Sequence, residues 1–265
     1  MRFYKLLLGF FVCSIAFSCT DGAGKNGKAL ETQEGIAAAI DTVTIQQDFM
    51  RWWKYENEEI NLSSNFIALD AKGGEIDQPA FFTILNSGEY IPLKVDHAQG
   101  RDTYRLLKLQ PDADPEIGNQ MTYIAFDHFE KYKKIGTEFP AFNFEDLEEN
   151  FYSNETLKGK TIVLKTWFIG CRPCIEEFPQ LNNLVEEFGG MDDIVFISLA
   201  LDSKESLAKF LEKKPFNYKV IPDQSHFIQE VLKIDDYPTH MVIGPDGTYE
   251  RIPDNLERLI AYLKK

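Results

Sequence analysis

Apolar and polar positions in the second half of the chain switch between two periods. Thr161-Ile162-Val163-Leu164 is a short unbroken apolar run, the pattern of a buried strand. From Phe178 onward the apolar residues fall at Phe178, Leu181, Leu184, Val185 and Phe188, one face of a helix. Ile194 to Leu201 is a second continuous run and predicts a strand buried on both faces. Ser206 to Lys213 predicts a helix capped by Ser203, and Tyr218 to Ile221 a short strand. Ser225 to Ile234 predicts a helix with Phe227, Val231 and Ile234 turned inward. Thr239 to Ile243 and Tyr249 to Ile252 flank Gly244-Pro245-Asp246-Gly247, a hairpin turn by composition. Leu256 to Leu263 is a terminal amphipathic helix. Helices alternating with strands, then a hairpin and a helix, predict an α/β fold.

The pattern is weaker before residue 136. Ile36 to Ile40 and Phe49 to Trp53 predict a short helix and a strand. Asn65 to Asp70 is strand-like, followed by a turn at Ala71 to Gly74. Ala80 to Leu85 fits a strand or a short helix, Glu89 to Val95 and Thr103 to Leu109 fit strands, and Asp112 to Asn119 reads as loop. Met121 to Lys134 mixes both periods. The pairs Trp52-Trp53 and Phe81-Phe82 are expected in the core rather than in a ligand groove. Residues 29–135 are therefore expected to form a small strand-rich accessory module, and residues 136–265 the α/β domain.

Composition adds a compartment. Arg2 and Lys5 precede an apolar run, Leu6 to Phe17, too short for a comfortable membrane span. Ala16-Phe17-Ser18-Cys19 resembles a bacterial lipobox, with Ala16 where a leucine is usual. It implies a signal peptide over 1–18, an acylated Cys19 and a polar tether over 19–28; the other reading is an ordinary signal peptide cut near Ser18. The formal charge of −14 over 265 residues argues against nucleic acid as a partner. Of four cysteines, Cys13 falls in the leader and Cys19 at the anchor, which leaves Cys171 and Cys174. An exported chain whose free cysteines are two residues apart has a redox centre, not a disulfide framework.

That pair sits at a strand-to-helix junction. The first thiol is expected at the helix N-terminus, where unpaired N–H groups and the macrodipole favour a thiolate. The second falls in the first turn, close enough to close a small ring, which suits thiol–disulfide exchange. A zinc half-site would need a second ligand pair, and His97, His128, His226 and His240 are scattered.

Here the sequence resembles the thioredoxin superfamily, and within it the TlpA/ResA-like thiol–disulfide oxidoreductases, with the leader of a Bacteroidetes-type lipoprotein. Cys171-Arg172-Pro173-Cys174 is similar to the family's Cys-X-Pro-Cys centre, Glu177-Phe178-Pro179 to the Glu-X-Pro that follows it, and Trp167 to the aromatic ending the preceding strand. Tyr237-Pro238-Thr239 is similar to the loop that faces the disulfide. Gly136 to Phe142 and Leu157 to Lys160 resemble the entry to this branch.

The resemblance implies a thioredoxin-like fold, Cys171 as nucleophile and Cys174 as resolving thiol. It implies a cis Pro238 that leaves the backbone of Tyr237 free for a substrate strand, with Tyr237, Thr239 and Trp167 at the substrate surface. Glu177 is expected near the thiols as a pKa modulator or proton relay, or else as a solvated acid or the partner of a lysine. No cofactor or metal is expected. The implied partners are disulfide-containing envelope proteins, such as apocytochromes, and an upstream membrane thiol reductant.

Two departures stand out. Thioredoxins proper carry a buried Asp two residues before the strand-ending aromatic; here it is Lys165, expected to snorkel to solvent, or else to favour a thiolate if it approaches the cysteines and to be driven neutral if buried. Gly170 stands where a Trp often precedes the first Cys, so the surface is expected to lack a shielding ring. Peroxidase chemistry needs a Thr three residues before its Cys, where this chain has Phe168. The reading of a different class is a thioredoxin-fold binding module whose cysteines are idle or, with His240, hold copper.

Overall fold

The computed structural model describes residues 41–95, 100–188 and 190–264. The leader, the tether with Cys19, the stretch Ile36 to Ile40 and His97 lie outside the described residues. No described helix is long and apolar enough to cross a membrane.

The first layer begins with a 3₁₀ turn at Thr44–Gln46 and helix α1 (Phe49–Glu59), whose Asp48 cap accepts from the Arg51 N–H. Strands β1 (Ile67–Leu69) and β2 (Glu75–Ile76) lead into α2 (Gln78–Leu85). An Asp77 cap and Pro79 in the first turn make this apolar run a helix, a choice its periodicity leaves open. Strands β3 (Tyr90–Val95) and β4 (Thr103–Lys108) follow, then α3 (Pro115–Lys134). The sheet order is β2-β1-β4-β3. This layer carries more helix than expected: there is no strand over Phe49 to Trp53, and the loop expected over Asp112 to Asn119 ends at Asp114, whose carboxylate caps α3. Exposed Tyr123 and Phe126 blur the helical period of α3, whose core side is Ile117, Met121 and Ala125. Gly118 lets α3 approach closely, since a Cβ there would stand 2.5 Å from the Gly88 carbonyl oxygen. Trp52, Phe81 and Phe82 are core residues.

The second layer opens with a small hairpin, β5 (Asn143–Glu145) and β6 (Phe151–Ser153), closed by the buried Asp146 carboxylate. Next come β7 (Thr161–Trp167), α4 (Arg172–Glu176), α5 (Phe178–Phe188), β8 (Ile194–Ala200), α6 (Lys204–Leu211) and β9 (Lys219–Ile221). A single π turn at Phe227–Val231 precedes β10 (Thr239–Ile243), β11 (Tyr249–Arg251) and α7 (Leu256–Leu263). Five strands run in the order β11-β10-β7-β8-β9. Strands β7, β8 and β9 are parallel, and β10 is antiparallel to β7 and β11. This is the thioredoxin-like arrangement, with β7 central.

One expectation fails at the π turn. Its wider winding turns Ile228 and Leu232 into the core and leaves Val231 exposed. The two layers pack as one compact unit. Arg258 donates to the Ile60 carbonyl at 2.8 Å, and Lys131 of α3 pairs with Asp254 at 3.1 Å.

Candidate active site

Strand β7 ends at Trp167, and the chain turns sharply into α4. The Cys171 N–H donates to the Phe168 carbonyl, and the Ile169 N–H donates to Asp202 Oδ2 at 2.7 Å from the end of β8. This pins the loop at both sides. Cys171 is the N-cap of α4, and its sulfur accepts from the Cys174 N–H at 3.2 Å. The two cysteines form a disulfide, with Cα atoms 5.3 Å apart. Cys171 retains 5 % exposure and Cys174 none. Only the first sulfur is within reach of another protein.

The Tyr237–Pro238 bond is cis. Thr239 pairs with Thr166 across β10 and β7, so this loop stands beside the end of β7 where the cysteine turn begins. The Thr239 N–H donates to Thr166 Oγ1 at 3.3 Å, and its own hydroxyl donates to the Asp236 carbonyl at 2.7 Å. Tyr237, Pro238 and Thr239 remain half-buried, open to a partner.

Three corrections follow. Trp167 is fully buried, edge-on against Phe178 and near Phe216, so it supports the site from below and touches no substrate. The ring absent at position 170 is supplied by Phe168, whose edge lies 3.1 Å from where a Gly170 Cβ would stand and which meets Tyr237 edge-on at 5.4 Å. Lys165 does not reach solvent. Its side chain is wholly buried, and its ammonium pairs with Glu177 Oε2.

Glu177 is thus the meeting point of a buried cluster. His240 Nε2 lies 3.0 Å from the same Oε2. Burial would raise the Glu177 carboxyl, but the hydrogen bond from His240 and the Lys165 ammonium outweigh it and hold it below the usual range. Burial pushes Lys165 down against the pull of Glu177, and pushes His240 down against their hydrogen bond. Sequence reasoning treated His240 only as a metal ligand. The signal for its true place was parity: with Pro238 fixed beside Trp167, His240 pairs with Lys165 and faces the same side. Among the described residues no group of three or more His, Cys, Asp or Glu is placed to hold a metal, and His240 Nε2 is engaged by Glu177.

Residues 135–251 match the AhpC/TSA family. The chain is 31 % identical over 136 residues to the thiol-disulfide oxidoreductase ResA of Bacillus cereus, covering 50 % of this chain and 78 % of that protein. It is 27 % identical over 118 residues to ResA of Bacillus subtilis, covering 44 % of this chain and 65 % of that one. The thioredoxin domain of a thiol-disulfide oxidoreductase from Bacteroides vulgatus aligns over 49 % of this chain and 95 % of its own, with 22 % identity and a TM-score of 0.45. The chain belongs to the ResA-like thiol–disulfide oxidoreductases of the thioredoxin superfamily.

Proposed function

We propose that this protein reduces disulfides of other proteins in the cell envelope, held to a membrane through an acylated Cys19. The observation that carries the reading is the asymmetry of the pair: a reachable Cys171 at the start of α4, a fully buried Cys174 behind it, and the half-exposed cis-proline loop alongside.

In the reduced protein the Cys171 thiolate attacks one sulfur of a partner disulfide, and the partner's other sulfur leaves as a thiol. A mixed disulfide results. Cys174 loses its proton, with the part-buried Glu177 three residues on to take it, and attacks Cys171 Sγ. The Cys171–Cys174 bond forms, and the bond to the partner breaks. Two electrons and two protons pass to the partner, and the enzyme is left as the disulfide seen here. A membrane thiol reductant restores it. No bound cofactor takes part. Tyr237 and Thr239 present the edge on which a substrate strand lies, and Pro238 keeps other groups off the sulfurs.

The test is reduction of insulin disulfides by the parent and by Cys171→Ser. Turnover in the parent alone is expected; equal and negligible turnover in both overturns the reading in favour of a binding module. The direction is read from the potential: a value near about −250 mV or below fits a reductant and one near about −120 mV an oxidant. Cys174→Ala expressed in cells should accumulate mixed disulfides that identify the partners.

A further inference from the structure

Three polar side chains stand in a row across the middle of the five-stranded sheet. Ser198 on β8 and His240 on β10 are the direct cross-strand partners of Lys165 on β7. All three are buried, at 0, 1 and 0 % exposure, on the face covered by α4 and α5. Such a position is ordinarily apolar, because an uncompensated buried charge is costly. The compensation comes from Glu177 at the α4–α5 junction. Lys165 and His240 both close on its Oε2, and Oε1 accepts no hydrogen bond from protein among the described residues. Tyr218, from the segment before β9, also faces this carboxylate. Glu177 follows Cys174 by three residues along helical backbone, a spacing that sets the two on one face of α4.

We propose that Lys165 and His240 are positioning residues for disulfide exchange: they fix one oxygen of Glu177 from below and keep the group ionised, so that the other oxygen takes the proton Cys174 must shed. This rests on the reading of Cys174 as the resolving thiol. The proton moves from Cys174 Sγ to Glu177. The resulting thiolate forms the bond to Cys171 and expels the partner's sulfur, which recovers a proton. His240 donates from Nε2, the tautomer that its carboxylate neighbour requires, and Nδ1 is left without a hydrogen or a partner. One cation and one neutral donor, rather than two cations, hold the carboxylate in place, so it is less weakened as a base than two cations would leave it. Burial favours this neutral imidazole.

The experiment isolates the Cys174 step. Reduced protein is mixed with Ellman's disulfide, and the second, slower release of thionitrobenzoate, which reports attack by Cys174 on the mixed disulfide, is followed against pH. The parent, Lys165→Met, His240→Leu, His240→Gln and Glu177→Gln are compared. In the parent the rate should fall only at acid pH. Lys165→Met and His240→Leu should each move that fall to higher pH, by about one unit or more. His240→Gln, which keeps an N–H donor, should restore most of the parent's profile, and Glu177→Gln should slow the step and abolish the fall. An unmoved profile in both Lys165→Met and His240→Leu overturns the proposal. A parent that shows no second release overturns the redox reading instead. Should the variants fail to fold, carbon-13 titration of the Glu177 carboxyl in the oxidised parent decides: ionisation persisting below the ordinary glutamate range supports the proposal, and titration within or above that range refutes it.

Discussion

The edge of the Phe168 ring lies 3.1 Å from where a Cβ on Gly170 would stand, and the same ring meets Tyr237 edge-on beside the cis peptide. A ring two residues early covers ground that a ring at position 170 would cover. Phe168→Ala should therefore expose the disulfide and speed its reduction by a bulky protein thiol several-fold, with little change for dithiothreitol. Stopped-flow tryptophan fluorescence with both reductants checks this. Equal acceleration by both would show that the ring acts on the sulfurs and not on access.

Trp167 is a core residue with its indole N–H unpaired. Trp167→Ala should cost about 3–5 kcal/mol in urea unfolding, through cavity formation among Phe178, Phe210 and Phe216. Trp167→Phe removes the unpaired donor along with part of the ring. Its loss should be well under half that of the alanine variant, and similar losses in the two would contradict the assignment.

Asp202 reaches across from the end of β8 to the Ile169 N–H at 2.7 Å. Asp202→Ala releases the loop that presents Cys171 and should lower stability by about 1–3 kcal/mol. Asp202→Asn keeps an acceptor and should fall between the two. Thermal melts of the oxidised proteins give the order; an alanine variant as stable as the parent would remove the loop's anchor from the account.

Glu56 on α1 is buried, with Oε2 unpartnered. Burial, and then the charge of Asp254 against the pull of Arg258, pushes its carboxyl up to about 8 from 4.5. Between those values the folded protein holds a proton that the unfolded chain has released, so this group makes stability fall as pH rises through the window. Glu56→Gln should gain on the parent as pH rises from about 5 to about 8, measured by urea midpoints. A constant difference at the two pH values would mean that the carboxyl is ionised throughout.

Much of the second half was legible in the chain itself. Unbroken apolar runs mark β7 and β8, because a strand covered on both faces has no polar side to alternate. Two cysteines with two residues between them after such a strand mark the centre. The first half was read less well, because exposed Tyr123 and Phe126 obscure the period of α3 and the Asp77 cap outweighs the apolar character of α2. Lys165 was misjudged for a related reason. A lysine on a strand normally finds water along its stem, and its partner here lies twelve residues away on a helix.

Local order thus settled most strands and helices of the second half and where the sulfurs lie, since caps, turns and periodicity act over a few residues. Cross-strand register decided that Lys165 and His240 face the same way, and the packing of the α4–α5 junction that Glu177 descends between them. The free energy of a buried charge depends on what packing brings within hydrogen-bond distance, and those neighbours exist only once the chain has folded.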